Sequence, residues 1–415
     1  MEANYPRGFL AFGRAIGIKE SALDFGVLHS ETPAAAAGVF TRNNFPGHPV
    51  VVGREHLKDG RLQTIIVNSG VSNVATGPAG LELIHEYIGL AAGNLGMEPD
   101  LILPSSTGVI GRLPPGEKLK QACGRIRADL KAADFPAFAE AIMTTDTAPK
   151  LVTAELKSGI RLAGIAKGAG MIEPNMATML SYLVTDADIP ADDLRRLTSV
   201  LADRTLNRVS IDSDTSTSDT FVIMANGAAQ KTVRFSAADE AAYRALNFPL
   251  EPGAVDALTD LDDDSREFLV EAGRIMRELT RKIAGDGEGA SKLIELRIIE
   301  ARDREQALKI GRALINSPLF KTAVRGADPN WGRIVMAVGK VFDEPVPIDK
   351  LSIFMGERRL KIGDAGRSEL QALSDYLKNE EVVITVGLGA GDAAETLWGC
   401  DLTEEYVRIN AYYTT

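Results

Sequence analysis

Short apolar, β-branched runs alternate along this chain with longer stretches whose apolar positions recur at helical spacing. The run Gln63–Val67 (QTIIV) predicts a buried strand ending in a polar turn, NSGVSNVATG. Leu81, Ile84, Ile88 and Ala91 then mark one face of a helix from about Pro78 to Asn94. Leu101–Leu103 predicts a short strand entering SSTGVIG, and Ile160–Ile165 another entering KGAGMIEPNMATML. Leu194, Leu197 and Leu201 stripe a helix over Asp192–Asn207, Phe221–Ala225 reads as a strand, and Ser265–Ile283 and Arg304–Asn316 read as helices. Val382–Val386 (VVITV) opens a tail expected to be β-rich to its end. The alternation predicts the α/β class, with Gly and Ser gathered where strands end, the usual place for sites. The segment Ala245–Asp264, with two prolines and the ending DLDDD, reads as a solvated connection.

With 415 residues and 45% hydrophobic content, the chain can bury a large core. A formal net charge of -11 lacks the basic footprint of a nucleic-acid binder and disfavours anionic membrane surfaces. The apolar runs are strand-sized, so no membrane span is expected, and the N-terminus has no signal-peptide pattern. Cys123 and Cys400 are the only cysteines and form no CxxC pair, so neither a disulfide framework nor a zinc site is expected. A cytoplasmic location fits.

Several signals that resemble chemistry fail on their details. GLGAG at Gly387–Gly391 would need a third glycine where Asp392 stands, and no βαβ unit follows. GDGEGASK at Gly285–Lys292 lacks the Gly-Lys-Ser/Thr ending of a phosphate loop. DSDTSTSDT at Asp212–Thr220 has Thr217 where a calcium loop needs a glycine, and reads as a turn rich in side-chain hydrogen bonds. The four histidines, His29, His48, His56 and His85, all lie early in the chain, His85 on a helix and the others in turn or strand contexts. They read as structural, so an enzyme built on this chain needs a base other than histidine.

Lys167–Leu180 (KGAGMIEPNMATML) supplies one. On its own Thr178 is a β-branched residue packed among Met176, Met179 and Leu180, Lys167 a surface lysine, and Gly168 and Gly170 a turn. Together, the glycines, Pro174 and Asn175 place a turn-prone segment before a threonine flanked by small Ala177. Such a hydroxyl can attack the preceding carbonyl. Cleavage between Ala177 and Thr178 would then free an α-amine, whose ordinary pKa of about 7.7–8.0 suits a general base.

At this point the chain resembles the ornithine acetyltransferase family, also called glutamate N-acetyltransferase, of arginine biosynthesis. The motifs NSGVSNVATG, SSTGVIG, AIMTTDTAPK, KGAGMIEPNMATML, DSDTSTSDT, DGEGASK, ADPNWGRI and CDLTEEYVRINAYYTT carry the resemblance over nearly the whole length. It implies a self-processing N-terminal-nucleophile enzyme. Two β-sheets would be sandwiched between helical layers. The chain would be cut into an α chain, 1–177, and a β chain, 178–415, sharing one core and assembling as a heterotetramer of two of each. Thr178 would take acetyl from N-acetylornithine and pass it to glutamate, with Thr107 and Gly108 stabilising the oxyanion. Thr144, Lys167, Thr178, Glu288, Asn410 and Thr415 would hold the substrate: the α-carboxylate suits Lys167 and hydroxyl or amide donors, the amino group suits Glu288. No metal or other cofactor is implied, and whether acetyl-CoA also serves as donor stays open. Without the family, Glu288 is a loop acid, Asn410 a strand-end cap and SSTG a strand-end turn.

The chain departs from the family where DSDTSTSD stands for DGDTSTND and KGAGMI for KGSGMI. Ser213 and the Glu173-Pro174 pair resemble a variant subgroup of ornithine acetyltransferases found in clavulanic acid gene clusters, which leaves the pathway open between arginine and a secondary metabolite. Two rivals remain: a related self-processing aminopeptidase or amidohydrolase, with water as acceptor, and a binding protein that never matures.

Overall fold

A computed structural model of the chain describes residues 4–173, 179–247, 255, 258, 261–363 and 366–412. Nine strands come first: β1 (Phe9–Arg14), β2 (Phe25–Phe40), β3 (Arg61–Val71), β4 (Ile102–Val109), β5 (Lys150–Glu155), β6 (Arg161–Lys167), β7 (Leu180–Thr185), β8 (Val209–Ser210) and β9 (Thr220–Ala225). All but β8 form one sheet in the order β4-β3-β2-β9-β7-β6-β5, with β1 also on β2. Strands from either side of residues 174–178 are interleaved in it: β6 pairs antiparallel with β7, and β2 with β9. The second sheet holds β10 (Leu293–Ala301), β11 (Ser352–Met355), β12 (Arg358–Leu360), β13 (Glu381–Gly387) and β14 (Ala393–Cys400), in the order β12-β11-β13-β10-β14-β8.

Helices fill the space between the sheets and cover their outer faces, as the two-sheet expectation required. The helix Asp263–Gly285 is capped by Asp262, whose carboxylate accepts from the Ser265 N–H at 2.7 Å. Its buried stripe, including Phe268, Ile275, Leu279 and Ile283, packs in one core with Leu162, Leu183, Phe221 and Trp398 from the two sheets. Each large side chain buried there contributes roughly 1.5–3 kcal/mol. Gly164 of β6 has no Cβ because one would collide with Ile275 and Leu279. A second tie joins the layers: fully buried Arg204, ending the helix Ala191–Arg204, donates to Glu395 of β14 at 2.8 Å. Removing one partner of such a buried pair strands the other's charge and typically costs about 3–5 kcal/mol.

Four expectations change. The strand at Leu101–Leu103 runs on through SSTG to Val109, because β3 continues beside it in parallel register, Ser69 opposite Thr107 and Gly70 opposite Gly108. The C-terminal tail is not β to its end: Glu404–Tyr412 is a helix. The Thr403 hydroxyl accepts the Glu405 N–H at 3.2 Å and two acids occupy the first turn, so capping outweighs β-branched content. His48 and His56 open and close a helix started by Pro49 at its first turn, rather than lying in turns or strands. Within Ala245–Asp264, Val255, Leu258 and Leu261 are buried in the core around the helix Asp263–Gly285, so these positions cover apolar surface rather than meet solvent. No helix among the described residues is long and apolar enough to cross a membrane.

Candidate active site

Lys167 ends β6, and the chain leaves the sheet through Gly168, whose N–H donates to Asp146 Oδ1 at 2.6 Å. Buried Asp146 also accepts from the Thr144 N–H at 3.0 Å and from Lys150 Nζ at 2.6 Å. Burial alone would raise its carboxyl pKa. The Lys150 and Lys167 ammonium groups, with the bonds from Lys150 and Gly168, hold it below the usual range instead. Lys150 reaches Asp286 at 2.5 Å, and Asp286 receives the Thr147 N–H at 3.1 Å. This network fixes the loop that carries Thr144, and Lys167 Nζ donates to the Thr144 hydroxyl at 3.1 Å.

Lys167 is itself buried, and burial lowers its pKa against the pull of Asp146, Asp219 and Glu288. A buried ammonium with three N–H donors and a hydroxyl partner beside it has the chemistry to bind an anionic oxygen.

Glu288 lies on the loop between the helix Asp263–Gly285 and β10, and its N–H donates to Ala169 O at 2.8 Å. Its carboxylate occupies the space where a Cβ on Gly170 would stand, so the second glycine of KGAGM admits it. Oε2 accepts from Asn410 Nδ2 at 2.8 Å. The C-terminal helix is seated over this loop by the Thr403 hydroxyl, which donates to Gly289 O at 2.6 Å. The structure thus brings Thr144 to Lys167 and Asn410 to Glu288, both pairs around Gly168–Gly170. Ala177, Thr178 and Thr415 lie outside the described residues.

The chain on both sides of 174–178 is anchored to one stretch. Asp212 accepts the N–H groups of Met171 and Ile172 at 2.6 and 2.7 Å. The Glu173 N–H donates to Asp214 O at 2.9 Å, and the Thr215 hydroxyl to Glu173 O at 3.0 Å. Beyond residue 178, the Thr220 N–H donates to Met179 O at 2.9 Å. DSDTSTSDT is therefore the hydrogen-bonding turn expected, and also the clamp on both ends of the Thr178 segment.

Thr107 and Gly108 lie just before the end of β4. Thr107 is buried, and Gly108 has φ 122° beside Gly70, so a Cβ would collide with the Gly70 carbonyl. The buried hydroxyls of Ser105 in β4 and Tyr182 in β7 interact without full hydrogen-bond geometry. Thr107 stands two positions beyond Ser105, and Thr178 four before Tyr182.

Asp146, Lys150, Asp286 and Asp212 were not picked out from sequence, although Asp146 lies in the TTDT motif and Asp286 in DGEGA, and Glu173 was noted only as part of the Glu173-Pro174 pair. His29 pairs with the Thr64 hydroxyl at 2.8 Å, and burial lowers its pKa to about 4. Among the described residues no group of three or more His, Cys, Asp or Glu could hold a metal ion. A cleft of about 460 Å³ opens beyond the Lys150–Asp286 pair, but neither Lys167 nor Glu288 lines it.

Comparison with known proteins gives the class first: the relatives are enzymes of arginine biosynthesis and acetyl transfer. The arginine biosynthesis bifunctional protein ArgJ 2 of Clostridium acetobutylicum is 41% identical over 99% of this chain and 98% of its own length. Glutamate N-acetyltransferase Oat2 of Streptomyces clavuligerus is also 41% identical, over 99% of this chain and 98% of its own. A crystal structure of ornithine acetyltransferase with ornithine from Mycobacterium tuberculosis is 39% identical, covering 41% of this chain and 94% of that one, TM-score 0.40. The model of the ArgJ family matches residues 10–415, and the chain belongs to that family.

Proposed function

We propose that this protein is a glutamate N-acetyltransferase that cuts itself between Ala177 and Thr178 and moves acetyl from N-acetylornithine to glutamate. The observation that carries the reading is the convergence of Lys167–Thr144 and Glu288–Asn410 on Gly168–Gly170, directly before the Thr178 segment. A buried cation and a carboxylate face that turn, the complement of an amino acid bearing a carboxylate and an amino group.

In this reading the Thr178 hydroxyl attacks the Ala177 carbonyl carbon, the peptide nitrogen leaves, and water hydrolyses the resulting ester. The freed α-amine then takes the proton of the same hydroxyl as it attacks the acetyl carbon of N-acetylornithine. Ornithine leaves, the acetyl group rests on Thr178 as an ester, and the glutamate amine removes it. Thr107 and Gly108 donate to the oxyanion in both processes. Lys167 and Thr144 bind the α-carboxylate, and Glu288 and Asn410 the distal end, with Thr415 closing over it. No metal enters the scheme, and the two fragments stay associated as a heterotetramer of two α and two β chains.

The test is product analysis by mass spectrometry with N-acetylornithine, with and without glutamate. The proposal expects N-acetylglutamate and ornithine in equal amounts and little turnover without glutamate. Acetate release at the same rate without glutamate would assign the chain to the self-processing hydrolases instead.

A further inference from the structure

A cleft of about 450 Å³, outside the site above, is lined by Arg42, Arg208, Arg304, Lys309 and Arg312, with Asp203 and Glu305 as the acids in its lining. That concentration of positive charge stands out in a chain of net charge -11. Three of the cations are committed. Arg304 pairs with Asp203 at 3.0 Å, Arg208 reaches Asp203 at 3.4 Å and Glu395 at 3.3 Å, and Lys309 pairs with Glu305, Asp343 and Glu344. Arg42 and Arg312 have no carboxylate within salt-bridge distance among the described residues.

Both stand on fixed backbone, with the Arg42 side chain exposed. The backbone around Arg42 is pinned on each side: the Thr41 hydroxyl donates to Ser216 O at 2.6 Å, and Asn43 Nδ2 to Thr215 O at 3.0 Å. Arg312 is half-buried within the helix Arg304–Ile315. Like charges crowd here: burial first, and then Arg304 and Arg312, push down the pKa of Arg208 against the pull of Glu395 and Asp203. Guanidinium groups held together in a concave, partly desolvated site gain most from a multivalent anion. A carboxylate is satisfied by one planar fork. Donors converging from a loop, a 3-10 turn (Leu206–Arg208) and a helix suit a tetrahedral anion with several oxygens.

We propose that this cleft binds a phosphate group, with Arg42 and Arg312 as its free ligands and Arg208 and Arg304 as the fixed floor. The group could be free phosphate or the phosphate of a larger molecule; the chemistry is shared. The proposal is independent of the reading given to Thr178.

Calorimetric titration of the purified protein at low ionic strength tests it, with inorganic phosphate, pyrophosphate and coenzyme A as separate probes. The expected result is saturable binding of at least one probe, weakened about tenfold or more in both Arg42→Ala and Arg312→Ala and by added salt. Neither substitution breaks an ion pair, so both variants should fold; Arg42 is on a surface loop and guards against a folding defect in the other. Tight phosphate binding with weaker coenzyme A would make the ligand the free ion, and the reverse order a phosphate ester. No binding of any probe up to about 10 mM, or binding unchanged in both variants, overturns the proposal.

Discussion

Asn410 Nδ2 donates to Glu288 Oε2 at 2.8 Å, tying the C-terminal helix to the loop that enters β10. This bond places a residue 122 positions downstream against the acid expected to meet the substrate's amino group. Asn410→Ala should therefore leave self-cleavage intact and weaken transfer, chiefly through KM, because the contact orients Glu288 in ground and transition states alike. A hydrogen bond to a charged group is worth roughly 1.5–3 kcal/mol, so kcat/KM should fall about tenfold or more. Glu288→Ala should remove most of the same energy, and the double variant should be far from additive. Additive losses in steady-state kinetics would show that the two residues act independently.

Thr107 and Gly108 should separate by mechanism. Thr107→Ala removes a hydroxyl without disturbing β4 and should slow cleavage and transfer together, by roughly 10²–10³ if the hydroxyl is an oxyanion donor. Gly108→Ala instead drives a Cβ into the Gly70 carbonyl at a positive φ. It should lower the melting temperature, with a backbone penalty of order 1–3 kcal/mol, and impair processing through the fold. A Thr107→Ala protein with parental rates in both reactions would reduce Thr107 to a strand residue.

His29 gives a pH signature. Its folded pKa is lowered to about 4 by burial, against an ordinary 6.5. Between those values the unfolded chain binds more protons, so stability falls as pH drops from about 6.5 towards 4, by about 2 kcal/mol after allowance for its partial exposure. His29→Gln removes that contribution. Chemical denaturation at pH 7 and pH 4.5 should show a smaller acid loss in the variant than in the parent; equal losses would mean that His29 ionises freely in the folded protein.

Much of this was legible in the sequence for local reasons. The helix Asp263–Gly285 and the strand β13 appear within two residues of their expected bounds, because their periodicity and length are unambiguous. Where neighbours decide, sequence fell short. SSTG extends as strand because β3 pairs with it, and the tail turns helical through Thr403 and its two acids. The site divides in the same way. Thr107, Gly108, Thr144, Lys167, Glu288 and Asn410 were candidates that motifs alone could name. Asp146 and Asp212, which fix the loops carrying or flanking them, act through backbone N–H groups that leave no local sequence signal.

Self-cleavage and acetyl transfer turn on one bond and one hydroxyl, and intact mass spectrometry of the purified protein reads both. Two co-purifying fragments are expected, residues 1–177 and 178–415. Brief exposure to N-acetylornithine without glutamate should add one acetyl group to the larger fragment alone. Thr178→Ala should stay uncut and unacetylated, and Thr178→Ser should retain some of both reactions. A fully active preparation of uncut chain, or an alanine variant that still cleaves at this bond, would contradict the account.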